Sequence, residues 1–459
     1  MPIVYRPKIA LGLCLLQPGI ERREIDIEVF TLTVALCAIA AAIIPSTIFS
    51  DGSLIADKFY RASKRSLELY RGTEQPTSSS IAIRYFQSGY THSVGQPRTT
   101  WDELKSAIAL AQAMRLHDET SYAAMDHVES QLCRRLFWIL FTGDKSAGIL
   151  GRHHITLGRY LLESGISVRY SESLEGEDPN VDQDPAESKP RLITGFNLNQ
   201  DLWHAAYLVL LETDALRDRC RRGEDAEDQS GRIPTPSELS HLSDLYLAFE
   251  TSLADAPTCL RATPTLSVSP TAFFFGQEKS QATLPRSFAL QRINLQVSYQ
   301  CLRLIVVQAI SVSTTSFHPV LPFWPTFLPP HTASPWHNPA LRASSQLDHP
   351  LSMQAHNLPV SSHPMRTHES SALLLHKVRI AEDMLYILHT STLENLCLNG
   401  ESCVEKIRLV GAAMLELIDH HRDSLVVNMA SQIAKLYPHI LAHLRSKASD
   451  SMGSDGETD

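Results

Sequence analysis

A chain of 459 residues with 43% hydrophobic and 20% charged content carries enough apolar material for one or two packed cores, which excludes a globally disordered protein. A formal charge of −9 excludes a general polyanion binder, because affinity for a phosphate backbone is built on clustered cations. Eight scattered cysteines without a single CxxC pair offer no structural zinc spacing and suit reduced, mostly buried thiols.

Residues 1–24 contain one short apolar stretch, 9–16, and are assigned no role. The run VFTLTVALCAIAAAII at 29–44 is sixteen residues long, short of the about 20 that a bilayer span needs. Asp26 and Glu28 precede it and Pro45 ends it, so a buried core helix is expected and no membrane. No basic n-region with a small-residue cleavage site marks a signal peptide. Asp51 is placed to cap a helix reaching about Arg71, with Leu54, Ile55, Phe59, Tyr60, Leu67 and Tyr70 at three- and four-residue steps. A further helix is expected over Ser79–Gly95. Thr100-Trp-Asp-Glu103 has the form of a capping box opening TWDELKSAIALAQAMRLH, whose seam is Leu104, Ala107, Ile108, Ala111 and Met114.

The stretch ESQLCRRLFWILFTGDKSAGILGRHHITL, residues 129–157, comes next. On a helical wheel Leu132, Leu136, Ile139, Leu140, Gly143, Ala147 and Leu150 form a stripe that Phe137, Trp138 and Phe141 extend most of the way round, the pattern of an interior helix. Gly143 and Ala147 are spaced to admit a close neighbour. Arg134, Arg135, Asp144 and Lys145 are charges that must reach the rim or find partners.

Glu172–Glu187 holds seven carboxylates and two prolines and reads as a solvated loop without a fixed carboxylate pair. Helices are expected at about Asn199–Arg222, after a second capping box at Thr235-Pro236-Ser237-Glu238, and at about Phe288–Val312. Ten of the 26 prolines and seven of the 20 histidines fall within 317–368, where no period survives. Proline at that density blocks helix, so a disordered linker is expected, and its spread histidines do not form a metal tract. Helices return at about Ser370–Leu396, Glu401–His420 and Asp423–Lys447, before a disordered tail at 449–459. Strand signals are short and isolated, and the fold is expected to be all-α.

Catalytic signatures fail one by one. Gly143 and Gly148 are separated as in a phosphate loop, but Ile149 and Leu150 stand where Lys and Ser or Thr are required. GxGxxG after a strand, GxSxG and HExxH are absent. His153 and His154 are adjacent, point in different directions and suit a helix-ending turn rather than one metal ion. No catalytic, cofactor-binding or metal residue is expected, and the chain is read as not an enzyme.

Arg134-Arg135-Leu136-Phe137-Trp138, followed by Asp144-Lys145 and Gly151-Arg152 and ending at Leu157, resembles the signature of the fungal-specific transcription factor domain. That domain is the middle homology region of binuclear zinc cluster regulators. Leu116, His117, Asp118, Glu119 and Tyr122 resemble the family's polar turn before this helix, and the Phe-Trp block is similar to regulators of maltose and starch use, with relatives in secondary-metabolite clusters. The resemblance is strong over about 80–165 and weaker from about 25 to 310. Asp144-Lys145 and Gly151-Arg152-His153 depart from the family's Asp-Arg and Gly-Arg-Pro. The six-cysteine zinc cluster is missing, so zinc is expected only with an upstream module, and loss of an upstream exon is favoured.

The resemblance implies a multi-helix regulatory domain at 25–316, to which composition and helix pattern add the Pro/His-rich linker at 317–368 and a C-terminal helical region at 369–448. It implies a nuclear, pathway-specific regulator of sugar-use or secondary-metabolite genes, with Arg134, Arg135 and Asp144 anchoring a polar network, Phe137 and Trp138 packing, and Gly151 ending the helix. Partners would be DNA through the missing module or another protein, the transcription machinery, a small-molecule effector and a second copy. The alternative is a helical metabolite-binding protein or enzyme without a recognisable catalytic motif.

Overall fold

The computed structural model describes residues 2–16, 26–45, 48–70, 76–151, 156–157, 165–175, 177, 191–224, 234–261, 285–315, 371–421 and 425–444. Of these, 81% are helical and none is in a strand, so the fold is all-α. The linker at 317–368 and the tail at 449–459 lie outside the described residues, as do Arg152, His153 and His154.

The helices are α1 (Arg6–Cys14), α2 (Asp26–Ile43), α3 (Gly52–Tyr70), α4 (Ser78–Ser93), α5 (Pro97–Ala113), α6 (His127–Gly151), α7 (Leu192–Glu224), α8 (Pro236–Glu250), α9 (Arg286–Thr315), α10 (Ser371–His389), α11 (Leu393–Leu398), α12 (Glu401–His420), α13 (Leu425–Ala434) and α14 (Leu436–Leu444). The apolar run at 29–44 becomes the body of α2, with Leu32, Ala35 and Ala38 buried against the other N-terminal helices. No described helix is long and apolar enough to cross a membrane.

Three apolar clusters organise the chain. The first gathers α2 to α6 around Ile81, Phe86, Ile108, Leu136 and Phe137. A second joins α9 to α10 through α14, and a third joins α7, α8 and α9. Helix α9 serves both of these with different faces. Ile293, Val297, Cys301 and Leu304 turn to one cluster, while Leu295, Leu302, Val306 and Ile310 turn to the other. Two such stripes leave little of the helix exposed, so polar side chains such as Gln296, Ser298, Gln300 and Arg303 are buried with it. Helix α6 reaches all three: its Phe-Trp block lies in the first, Ile149 packs on the third and Leu150 on the second.

Local details depart from expectation where two starts compete. Helix α5 begins three residues before Thr100, because Pro97 at its first turn presets a helical φ and needs no partner for an amide it lacks. Thr100 therefore caps nothing. Its hydroxyl donates to the Gln96 carbonyl at 2.8 Å, and Glu103 instead pairs with Lys64 at 2.5 Å. Helix α4 starts with a box made by Thr77 and Ser80. The Thr235–Glu238 box forms as expected, the Glu238 amide donating to Thr235 Oγ1 and the Thr235 amide to Glu238 Oε2.

Helix 370–396 is instead two. Ser391 and Thr390 hydroxyls donate back to Ile387 and Tyr386 carbonyls, and Thr392 caps α11. Likewise 423–447 divides at Lys435, next to Pro438, whose ring nitrogen cannot donate to the Ala434 carbonyl. The close helix approach expected at Gly143 does not occur there. A Cβ at Gly143 would meet Leu104 at an ordinary 3.6 Å, whereas one at Gly12 would lie 1.8 Å from Thr33 Oγ1.

Candidate functional site

Helix α6 carries its charged groups into the interior. Phe137 and Trp138 are buried at the centre of the first cluster, edge to face with centroids 5.2 Å apart. The Trp138 indole donates to the Arg169 carbonyl at 3.2 Å, so the ring both packs and holds the 165–171 segment.

Arg135 is fully buried, yet every face of its guanidinium is used. Nε donates to Ser171 Oγ at 2.7 Å and Nη1 to the Pro2 carbonyl at 2.7 Å. Nη2 donates to the Glu172 carbonyl at 2.6 Å. Glu177 receives the fork on both oxygens, 2.6 and 2.8 Å away. Gln131, one turn earlier on α6, accepts from Ser171 Oγ and from the Glu172 amide at 2.9 and 2.8 Å. One turn of α6 thus ties down the chain's N-terminus and the 171–177 segment. A planar, always-charged fork can satisfy this many acceptors; a lysine cannot.

Arg134 takes a separate partner. Its guanidinium donates to Glu119 and lies 4.4 Å from the Tyr122 ring centroid. Glu119 Oε2 also accepts the Arg169 amide at 3.0 Å. Burial pushes the Glu119 carboxyl up, but the Arg134 and Arg169 hydrogen bonds outweigh it and hold it below the ordinary value.

Asp144 works elsewhere again. It is fully buried, and its oxygens accept the Thr156 and Leu157 amides at 2.9 and 2.8 Å. The single polar network expected around Arg134, Arg135 and Asp144 is therefore three separate attachments, because successive turns of one long helix face different neighbours. Gly151 is the last residue of α6; the positive-φ glycines among the described residues are Gly95, Gly165 and Gly400.

Two expectations about charge are corrected. Glu177, in the acidic stretch read as a solvated loop, is drawn onto Arg135 and is 17% exposed. Lys145 does not reach the rim, and its amine lies against the Phe141 and Tyr207 rings, 3.3 and 4.0 Å from their centroids. Its side chain is fully buried, and Nζ lacks a hydrogen-bond partner among the described residues. Burial pulls it down to about 7, against the opposing charge of Asp144.

A second buried polar centre has no motif in the sequence. Arg303 on α9 donates to Glu250 on α8 at 3.2 Å, to Gln300 at 2.9 Å and to Asp383 on α10 at 3.0 Å. Tyr246 and Tyr299 hydroxyls donate to the Glu250 carboxylate at 2.9 and 3.2 Å. Burial, followed by the Arg303 charge, holds His376 beside them down to about 4. The residues that complete both centres lie tens of residues apart on apolar-patterned helices and loops, so only the isolated charge in an apolar stripe signalled them. Among the described residues no group of His, Cys, Asp and Glu is arranged to hold a metal ion.

Compared with family models, with curated proteins and with solved structures, the chain matches none.

Proposed function

We propose that this chain is the regulatory body of a nuclear transcriptional regulator, in which a helical core answers a small-molecule effector and sets the activity of a DNA-bound zinc module or partner protein. The observation that carries the reading is the signature from Arg134 to Leu157. The resemblance supplies gene control and, with it, a sugar-use or secondary-metabolite gene set, contact with the transcription machinery and pairing of two copies. The geometry supports a regulatory rather than catalytic role for the signature residues themselves. Arg134, Arg135 and Asp144 are each consumed in holding other segments, and none presents a free group to a substrate. Helix α6 touches all three cores, which gives a rearrangement at the Arg135 attachment a mechanical route to the rest of the body.

The test is a fusion of this chain to an unrelated DNA-binding module. Transcription from the module's target is expected to change relative to the module alone; equal output from both overturns the reading.

A second reading, a helical metabolite-binding protein or enzyme, is favoured by the buried amine of Lys145, which makes no hydrogen bond among the described residues. It predicts a chain silent in the fusion assay that still binds a small molecule when purified.

A further inference from the structure

Residues 165–175 and 177 form no helix or strand, yet the body of the protein holds their main chain at nearly every step. The His117 carbonyl accepts the Ser167 and Val168 amides at 3.0 and 3.2 Å. Glu119 accepts the Arg169 amide, and the Trp138 indole donates to the Arg169 carbonyl. Asn197, near the start of α7, donates to the Ser171 carbonyl at 3.1 Å. Gln131 accepts the Glu172 amide, and Arg135 donates to the Glu172 carbonyl.

Side chains along the segment alternate as in a strand laid flat. Ile166, Val168 and Tyr170 pack on the first cluster, whereas Gly165, Ser167 and Arg169 are exposed. Tyr170 lies on Trp138 with centroids 4.7 Å apart. The segment is thus held as a bound peptide is held, by hydrogen bonds to its main chain, seats for alternate side chains and one charged anchor, Glu177 on Arg135.

Two features distinguish this seat from the packing of an ordinary loop. Most of its hydrogen bonds engage backbone, which any peptide of the same shape supplies. Arg135 is fully buried, so whenever the segment lifts off, the guanidinium loses its counter-ion and the site demands another carboxylate. With few deeply buried apolar side chains of its own, Val168 and Leu174 among them, the segment opens at lower cost than the helices beneath it.

We propose that the surface formed by α6, the 117–119 turn and the start of α7 is a docking site for an acidic peptide of a partner protein, and that residues 165–177 occupy it in cis as a strap which the partner displaces. The fitting peptide alternates apolar and polar residues, places an aromatic ring on Trp138 and carries a carboxylate at the Glu177 register. Tethering gives the strap an effective concentration in about the millimolar range, so a free peptide binds the closed chain weakly and gains whatever affinity the strap loses. Such docking is independent of gene control, and neither outcome of its test decides that reading.

The probe is the fluorescein-labelled peptide GISVRYSESLEGE, the sequence of residues 165–177 with an amidated C-terminus, titrated with the full chain and followed by anisotropy. The chain carrying Glu177→Gln is expected to bind it at least about tenfold more tightly than wild type, because loss of the charge-assisted fork weakens the strap and leaves the seat intact. The same peptide ending in glutamine is expected to lose that gain. Hydrogen exchange on the wild-type chain accompanies the titration, so the result does not depend on the variant folding. The Val168, Arg169 and Glu172 amides, all hydrogen-bonded to the body, should exchange at least about a hundredfold faster than those of Leu136 and Phe137 in the middle of α6. Equal affinity of the two chains, binding to neither, or strap amides as protected as those of α6 overturns the proposal.

Discussion

Glu177 closes both carboxylate oxygens on the guanidinium of Arg135, 2.6 and 2.8 Å away, across 42 residues of sequence. The pair is what fastens the segment after the signature helix back onto it. Truncating one partner leaves the other charge without compensation in a poorly hydrated site, at a cost of about 3–5 kcal/mol for a buried pair. Arg135→Ala is expected to cost about 3 kcal/mol in urea denaturation, the lower end because Glu177 keeps some contact with water. Arg135→Lys should recover part of this, since one ammonium replaces the charge but not the fork. Equal midpoints for Arg135→Ala and wild type would show that the pair contributes no stability.

Lys145 imposes the opposite kind of signature on stability. Its amine titrates near 7 when folded and at the ordinary lysine value when unfolded, so between those limits the unfolded chain binds more protons. The penalty of burying the ammonium is fully present below about pH 7 and is relieved as pH rises towards the ordinary lysine range. Lys145→Met removes both. The variant is expected to be more stable than wild type at pH 6, with a gap that narrows by pH 9. A gap independent of pH, measured by denaturant titration at both values, contradicts the burial of an ionisable amine.

His92 on α4 meets Glu405 on α12 at 3.0 Å and joins the N-terminal helices to the C-terminal ones. Burial pushes the imidazole down, but the hydrogen bond and charge of Glu405, with Glu401 beyond, raise it above the ordinary value despite Lys406 nearby. A raised histidine stabilises fully below its unfolded pKa of about 6.5, and that stabilisation fades as pH passes through the higher folded value. Glu405→Gln should therefore cost stability at pH 5.5 and little at pH 8.5. Thermal midpoints at the two pH values check it, and an equal cost at both refutes the charge argument.

Two glycines should respond oppositely to alanine. Gly143→Ala is expected to be neutral or to stabilise by up to about 1 kcal/mol, because the new methyl meets Leu104 at ordinary contact distance and helix propensity improves. Gly12→Ala is expected to destabilise, as its methyl would lie 1.8 Å from Thr33 Oγ1 and 3.2 Å from the Val29 carbonyl. The two denaturation midpoints, compared with wild type, decide this directly.

The helical class and the burial of Phe137 and Trp138 were legible in the sequence because three- and four-residue apolar spacing survives translation into any packed bundle. The partners of the buried charges were not. Nothing near Arg135 in sequence announces Ser171, Glu172 and Glu177, and Glu177 sits in a run whose acidity alone argues for solvent. Thr100 illustrates a local rule losing to a stronger one, since Pro97 had already started the helix. Lys145 was visible as a charge inside an apolar stripe, but the commitment of Asp144 to the Thr156 and Leu157 amides, and the seat of the amine on the Phe141 and Tyr207 rings, appear only in three dimensions.

In the proposed regulatory body α6 is the restrained element, and the most direct measurement is the output of the DNA-tethered chain carrying Glu177→Gln beside the tethered wild type at matched protein levels. Release of the Arg135 attachment is predicted to shift reporter transcription by at least about twofold at those matched levels. Identical output from the two fusions would contradict the account.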